Sequence, residues 1–238
     1  MFFARNSQCA LIKGSVNDNR SHRHYAIQLT IRLDEAFEVD KQVIKDMYHI
    51  LPVMQEHRLT ATSDVVILLI NPASSFARWL RCRTDDSSLE ACCITIASLF
   101  SPHNEMNRSL LTLIENIIQH YCDSCSVVTM EPRIEQAMRL LEEKSLQVTS
   151  ASEIAEQVGL SPSRFLHLFK AQMAISYRRY QLWLKLMASI DDLLLSNSIT
   201  IVAHDYGFAD SAHYSRTFKE CFGFTPKAFK LMQKQAHK

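Results

Sequence analysis

The sequence predicts an α+β protein, with a β-rich N-terminal domain and an all-α C-terminal domain built from two repeated helical units that a long helix joins. Three observations support this prediction. Apolar and polar residues alternate from Tyr25 to Leu33, which is typical of a strand. Apolar residues then recur at helical spacing from Leu110 onward. Finally, a pattern of helix, glycine turn and helix occurs twice in the last 90 residues, around Gly159 and Gly207.

The composition favours a cytoplasmic protein with buried cores. The chain has 238 residues, of which 47% are hydrophobic, enough for two ordinary domains. Its longest apolar run, Val65 to Ile70, is far shorter than the roughly 20 residues of a membrane helix, and its start does not resemble a signal peptide. Seven cysteines, an odd number, suit reduced thiols better than a disulfide framework. We therefore expect no association with a membrane.

Charge is distributed unevenly along the chain, although the net charge is only +1. From Glu131 onward there are 14 Lys and Arg against 11 Asp and Glu, whereas the preceding part has 12 against 14. This asymmetry permits a nucleic-acid-binding C-terminal half but does not require one, because the placement of charges on the fold decides binding.

The N-terminal domain, predicted over residues 1–104 as a β-rich sensor or ligand-binding domain, contains two clear strand signals. The alternation from Tyr25 to Leu33 predicts a half-buried strand, and the run Val65 to Ile70 predicts a buried strand that stops at Asn71-Pro72. The segment Ala91 to Phe100 is compatible with either a strand or a helix.

Residues 105–129 are predicted to form a helix followed by a linker. The apolar stripe of this helix either packs on the sheet or forms a dimer interface, and consists of Leu110, Ile114, Ile117, Ile118 and Tyr121. The C-terminal domain is predicted to cover residues 130–238, and its first helix has Ile134, Ala137, Met138 and Leu141 on one face.

Two helix-turn-helix units follow. In the first, Ser150 and Glu153 fit a capping box, Gly159 ends the helix, and Ser161-Pro162 begins the next one. The second repeats this pattern about 48 residues later, with Gly207 in place of Gly159. We predict helices over residues 150–158, 162–172, 177–195, 200–206 and 211–221.

The helix predicted at 177–195 would be about 28 Å long. Because successive major grooves on one side of DNA lie about 34 Å apart, such a helix suits two recognition helices in adjacent grooves.

These residues resemble the AraC/XylS transcription regulators over roughly Pro132 to Leu231. The most specific matches are Gly207-Phe208, then Phe218-Lys219, then Phe222-Gly223-Phe224-Thr225-Pro226. The first unit, from Ala155 to Lys170, is also similar. The chain departs from the family pattern at Ala174, where glycine is usual, and in the joining helix at Trp183, Lys185, Asp191 and Asp192.

The resemblance implies a regulator of transcription, more often an activator, that binds double-stranded DNA. It also implies an N-terminal cupin-like (jelly-roll) domain that senses a small-molecule effector, and contact with RNA polymerase. It further implies a homodimer, and it favours the apolar stripe from Leu110 to Tyr121 as the dimer interface. One alternative function is that of an interaction protein that is switched by a protein partner. A less favoured alternative is an enzyme, either a cupin-type metal enzyme or a DNA-repair alkyl acceptor. The Pro-Cys-His-Arg motif of the alkyl acceptors is missing from the sequence.

The DNA-contacting residues are predicted from the outward faces of the two recognition helices. Arg216 is the candidate for a paired contact with guanine, Leu166 for a thymine methyl group, and Lys170 and Lys219 for phosphate. The full predicted set is Ser163, Arg164, Leu166, His167, Lys170, Ser211, Ala212, Ser215, Arg216 and Lys219.

His22, His24 and His57 are candidate ligand-binding residues of the N-terminal domain. A cupin-type metal site also needs a carboxylate shortly after the His pair, and Gln28 lies there instead, so we expect no metal or other cofactor. Cys122 and Cys125 form an isolated CxxC pair, a weak signal for a metal or redox site. We expect Cys92 and Cys93 to pack in a core, and we identify no catalytic residues.

Overall fold

The computed structural model describes residues 1–16, 20–82, 87–100, 109–123, 130–143, 149–196 and 198–236. Its internal contacts divide the chain into two compact units. The first comprises Met1–Val128 together with Phe222–Lys238, and the second comprises Thr129–Cys221. Within the described ranges, no helix combines the length and the hydropathy that a membrane crossing requires.

The first unit is built on an antiparallel sheet, which confirms the α+β prediction. Its strands pair in the order β1-β2-β7-β3-β6, and β4 pairs with β5 and with one end of β7. The bounds are β1 Phe2–Arg5, β2 Cys9–Val16, β3 Ile27–Arg32, β4 Phe37–Val39, β5 Gln42–Ile44, β6 Tyr48–Leu51 and β7 Leu59–Ile70.

Three helices cover one face of this sheet: α1 Ser75–Cys82, α2 Ser87–Ser98 and α3 Ser109–Asp123. Leu11, Leu29 and Leu68 point from the three central strands into the same core, where they meet Ile96 and Ile114 from the helices. The segment Ala91 to Phe100, which the sequence left open, is therefore largely helical. Cys92 and Cys93 are fully buried in this core, as expected.

The prediction that β3 is only half-buried was wrong. Two polar members of the alternation, Gln28 and Thr30, are as inaccessible to solvent as their apolar neighbours, and only Arg32 at the end of β3 is half-buried. The Gln28 side-chain amide donates a hydrogen bond to Thr30 Oγ1 at 2.9 Å, which meets part of the hydrogen-bonding need of both groups. They face the second side of the sheet, which borders a cavity rather than bulk solvent.

The apolar stripe of α3 packs against the sheet of its own chain. Leu110, Ile114 and Ile118 are buried in the core of the first unit, and Ile117 and Tyr121 pack at its edge. The dimer-interface interpretation is therefore corrected for Leu110, Ile114 and Ile118, because side chains that are already buried cannot also cover a second copy. Ile117 and Tyr121 are only partly buried, and their part in a dimer interface stays a prediction.

The last helix, α10 Pro226–Ala236, groups with the first unit although it follows the helix-turn-helix repeats in sequence. The Phe229 ring meets the Phe3 ring edge-on at 5.0 Å, and the Gln233 amide donates to the Met1 carbonyl oxygen at 3.4 Å. The contacts thus place α3 and α10 with the sheet, whereas the sequence-based division into 1–104, 105–129 and 130–238 separates them from it.

The second unit is entirely helical over its described residues. Its helices are α4 Pro132–Glu143, α5 Ala151–Gln157, α6 Pro162–Met173, α7 Tyr177–Leu195, α8 Ile199–Asp205 and α9 Ser211–Phe222, of which the last residue already counts with the first unit. Each of the five helices predicted between residues 150 and 221 is present. No observed helix end differs from its predicted position by more than one residue.

Candidate nucleic-acid interface and ligand site

The first helix-turn-helix unit, α5 and α6, has the caps that its sequence predicts. Ser150 Oγ accepts from the Glu153 backbone N–H, and the Glu153 carboxylate accepts from the Ser150 N–H, which completes the capping box. Gly159 adopts a φ of 66°, and Ser161 caps α6. Phe165 and Phe169 are fully buried under the unit, so the opposite face of α6 points to solvent.

The second unit, α8 and α9, repeats this arrangement. Gly207 adopts a φ of 65°, and Tyr214 and Phe218 are buried. The sequence reasoning missed the residue that begins α9: Asp210 Oδ1 accepts from the His213 N–H at 2.6 Å. This hydrogen bond and the nearby charge of Arg216 keep the pKa of Asp210 below its usual value. Its spacing from His213 is the ordinary signal of a helix N-cap.

The residues predicted to contact DNA lie on the outward faces of the two helices. On α6 all five are exposed, including Leu166, an apolar side chain with 42% of its surface accessible. On α9, Ala212 and Arg216 are exposed, whereas Ser211, Ser215 and Lys219 are half-buried. Their contact with DNA stays a prediction. The arrangement offers two faces that carry cationic, hydroxyl and apolar groups, the chemistry that reads phosphates and base edges.

Helix α7 is hydrogen-bonded to the first helix-turn-helix unit at its N-terminal end. Tyr177 Oη and the Gln181 side-chain amide both donate to the Thr149 carbonyl oxygen, at 2.9 and 2.7 Å. Thr149 precedes the cap of α5 directly. The Tyr177 ring also packs edge-on against Phe165 and Phe169 of α6.

The C-terminal part of α7 is hydrogen-bonded to the second unit. Lys185 Nζ donates to the Gly207 carbonyl oxygen at 2.7 Å, Tyr206 Oη donates to the Asp192 carboxylate at 2.7 Å, and a buried bond joins Ser189 to Tyr214 at 2.9 Å. Lys185 and Asp192, which depart from the family pattern, thus have partners in the glycine turn of the second unit. One helix therefore holds both recognition helices.

The second face of the sheet borders a cavity of about 250 Å³ within the first unit. Most of its walls are apolar, and the polar groups at its surface include His22, His24 and Gln28. The full lining comprises Met1, Ile12, Ser15, Val16, His22, His24, Gln28, Leu59, Ile67, Leu69, Phe222, Phe224 and Met232.

The three predicted histidines lie together, and two of them, His22 and His24, line this cavity. One ring nitrogen of each lies within 4.8 Å of the others, and the rings of His22, His24 and His57 are all buried. Burial, reinforced by the neighbouring His57, lowers the pKa of His22 to about 4, and burial also lowers the pKa of His57. Both imidazoles are therefore neutral at neutral pH.

Sequence reasoning missed the C-terminal contribution to the cavity. Phe222, Phe224 and Met232 fall in the segment that the sequence assigns to the helical domain. The two phenylalanines on either side of Gly223 could have indicated that this segment packs against a second surface. From sequence, Gln28 was considered only as the residue that occupies the place of a metal-binding carboxylate, and its position in the lining of the cavity was not predicted. Of the CxxC pair, Cys122 is buried and Cys125 lies outside the described residues.

Comparison with known proteins supports this assignment of the helical part. A family model described as a helix-turn-helix domain matches residues 154–232. The arabinose operon regulatory protein of Escherichia coli (strain K12) is 37% identical over 82 residues, which are 33% of this chain and 27% of that protein. The bifunctional transcriptional activator/DNA repair enzyme Ada of the same organism is 32% identical over 98 residues, 41% of this chain and 27% of Ada. The chain thus spans less than a third of the length of these relatives.

The fold of the whole chain is similar to that of ToxT from Vibrio cholerae. The structure of ToxT with a bound unsaturated fatty acid aligns with a TM-score of 0.55 over 96% of this chain and 97% of that one. Sequence identity is 12%, so this likeness concerns the fold alone.

Proposed function

The chain belongs, through the helix-turn-helix domain at residues 154–232, to the AraC/XylS family of DNA-binding transcription regulators, and from that premise we propose that it is a transcription activator controlled by a small molecule. The DNA is read in a sequence-specific way by α6 and α9. The effector binds in the cavity of the first unit. The regulator acts as a homodimer that contacts RNA polymerase.

The observation that carries the DNA-binding part is the attachment of both helix-turn-helix units to α7. Hydrogen bonds at Thr149 and at Gly207 leave little freedom for the two recognition helices to move apart. At 19 residues, α7 is about 28 Å long, close to the spacing of about 34 Å between successive major grooves. The proposal is therefore that one chain reads two subsites on the same side of the duplex.

The chemistry of the cavity supports an amphiphilic effector. Ile12, Ile67 and Leu69 offer apolar surface, whereas Ser15 and Gln28 offer hydrogen-bonding groups. An apolar pocket with a few convergent polar groups is the usual form of a small-molecule site. The ToxT structure that shares this fold holds an unsaturated fatty acid. We propose an effector with an apolar body and a single polar or anionic group.

The DNA-binding part is tested by selecting sequences bound by the full chain from a random DNA library. A recovered motif with two subsites about one helical turn apart supports the proposal, and recovery of no motif contradicts it. Transcription from a promoter that carries the motif, measured with purified RNA polymerase, then distinguishes activation from repression.

The effector part is tested with oleate and with its uncharged analogue oleyl alcohol as probes. Val16, at the edge of the cavity, is changed to tryptophan so that the larger side chain fills the space. Val43→Trp is the matched control, because Val43 is half-exposed on β5 and away from the cavity. We expect saturable binding of oleate by the natural chain and by Val43→Trp, and loss of binding by Val16→Trp. Equal binding by all three proteins would contradict the proposed site.

A further inference from the structure

We propose that His22, His24 and His57 bind one divalent first-row transition-metal ion at the wall of the cavity. This site rests only on the three side chains and on the backbone that positions them, although His22 and His24 also line the cavity proposed for the effector. It replaces the expectation from sequence that the missing carboxylate at Gln28 excludes a metal.

The backbone brings the three rings together before any ion is bound. His22 and His57 are partners in an antiparallel bridge, joined by two backbone hydrogen bonds of 3.0 and 2.9 Å. Their rings are therefore neighbours, with centroids 4.5 Å apart. His24 lies two residues after His22 and so projects to the same side of an extended segment, where its ring lies 4.6 Å from that of His22 and 5.0 Å from that of His57.

Backbone carbonyls fix which nitrogen of two rings is free to bind a metal. His22 Nδ1 lies 2.9 Å from the Arg20 carbonyl oxygen, and His57 Nδ1 lies 3.1 Å from the Gln55 carbonyl oxygen. A carbonyl only accepts, so both Nδ1 atoms carry the proton and both Nε2 atoms present a lone pair. Histidine ligands of metals characteristically donate their second ring N–H to a carbonyl or carboxylate in this manner.

His22 Nε2 is hydrogen-bonded to His24 Nε2, a contact that a bound ion would replace. Among the described residues, His57 Nε2 is buried and has no hydrogen-bond partner, which is costly for a polar atom unless something else satisfies it. His22 Nε2 lies 3.1 Å from His24 Nε2. Two nitrogens bound to one metal at 2.0–2.1 Å, with angles between octahedral and tetrahedral values, lie about 2.9–3.4 Å apart. The His22–His24 spacing already fits that range.

The ligand set defines the class of ion. Imidazole nitrogens suit zinc, copper, nickel and iron, whereas magnesium and calcium require oxygen ligands. In the described part of the chain the cluster contains no carboxylate or thiolate, so a bound ion would keep its double positive charge. Because His22 and His24 line the cavity, water or an anionic group in the cavity could complete the coordination shell of such an ion.

The experiment is a titration of the full chain with Co²⁺, prepared without a histidine tag and stripped of metal with a chelator. Cobalt has d–d absorption bands that report ligand number and type. We expect saturation at one equivalent with a nitrogen-ligand spectrum, and displacement of Co²⁺ by Zn²⁺. The absence of saturable binding, or a thiolate charge-transfer band that indicates cysteine ligands, would overturn the proposal.

Single changes to glutamine at His22, His24 and His57 locate the site, since glutamine preserves polarity and approximate volume. Each should weaken Co²⁺ binding by more than the roughly 10–100-fold that loss of an outer-shell partner costs. His120→Gln is the matched control, because His120 is exposed on α3 and lies outside the cluster; it should bind Co²⁺ as the natural chain does. Far-UV circular dichroism and DNA binding verify folding of each variant. A folded His57→Gln protein that binds Co²⁺ normally would also overturn the proposal.

Discussion

Arg216 and Lys219 lie one turn apart on α9 but are suited to different contacts with DNA. Arg216 is exposed near the middle of α9, and, with the hydrogen bond from His213, its charge lowers the pKa of Asp210 at the start of the helix. A guanidinium matches the paired acceptors O6 and N7 of guanine, whereas an ammonium is a point charge suited to phosphate. Lys219 is half-buried and nearer to the C-terminal end.

Arg216→Ala should therefore cost roughly 1–3 kcal/mol at the operator and relax the preference at one base pair. Lys219→Ala should weaken binding to all sequences alike. It should also lower, by about one, the steepness with which the logarithm of the binding constant falls with the logarithm of the salt concentration. Fluorescence anisotropy on operator, single-base variants and random DNA at several salt concentrations measures both effects. A uniform loss in both variants would make Arg216 a phosphate contact and leave specificity to Ser163, Leu166 and His167.

Ala174 ends α6 in the left-handed conformation, with φ 58° and ψ 8°. That region is unfavourable for any residue with a Cβ atom, by about 1 kcal/mol or more, and glycine is the usual residue there. Ala174→Gly should therefore raise the free energy of unfolding by about 0.5–1 kcal/mol, even after the entropy that glycine adds to the unfolded chain.

The matched control for this prediction is Ala171→Gly, three residues earlier on the exposed side of the same helix. The same substitution inside a helix should lower stability by about 1 kcal/mol. Urea unfolding of both variants measures the two changes, and a shift of the same sign in both would refute the role of the left-handed cap.

Helix α7 is the element on which the arrangement of the second unit depends, and Trp183 is its largest buried side chain. Only 2% of the Trp183 side chain is exposed to solvent. Trp183→Ala should cost about 3–5 kcal/mol, because the cavity left behind adds to the lost hydrophobic transfer. Leu195→Ala, at an 83% exposed position at the end of the same helix, should change stability by less than about 0.5 kcal/mol. Thermal unfolding of the two variants provides the comparison.

The hydrogen bonds of α7 also predict a strict spacing of the two DNA subsites. Moving the subsites apart by half a helical turn, about 5 base pairs, turns the second site to the opposite side of the duplex. Because α7 is fixed to both units, the chain should then engage only one subsite, and affinity should fall by about 100-fold or more. Binding to operators with 0, 5 and 10 inserted base pairs tests this, and unchanged affinity at 5 base pairs would mean that the two units reorient freely.

The helical elements were predictable from sequence because their ends carry local signals. Ser150, Gly159 and Ser161 act within a few residues of their own position, so the chain shows their role without any long-range information. The burial of Gln28 and Thr30 was not predictable in this manner. It depends on what covers the second face of the sheet, and those atoms come from distant parts of the chain. The meeting of His57 with His22 likewise depends on a strand pairing across 35 residues.

At the scale of the whole molecule, the burial of Leu110, Ile114 and Ile118 removes these α3 side chains as a surface for dimerisation. Ile114→Ala should lower stability by about 2–5 kcal/mol, as expected for a buried core residue. The effect should be the same at all protein concentrations, whereas loss of a dimer interface would depend on concentration. Leu113→Ala, at the half-exposed neighbouring position, is the matched control and should have little effect. Calorimetry at two concentrations tens of times apart makes the distinction.

The cavity is closed by residues that lie before and after the helix-turn-helix units in the chain, and this order has a consequence for synthesis. Met1 and Ile12 are made before both units, whereas Phe224 and Met232 are made after them. Domains generally begin to fold as soon as they emerge during translation, so the sheet can form early around an unfinished pocket. That pocket is complete only after every residue of both helix-turn-helix units has been added. A nascent chain is thus unable to form the finished cavity before its nucleic-acid-binding segment exists.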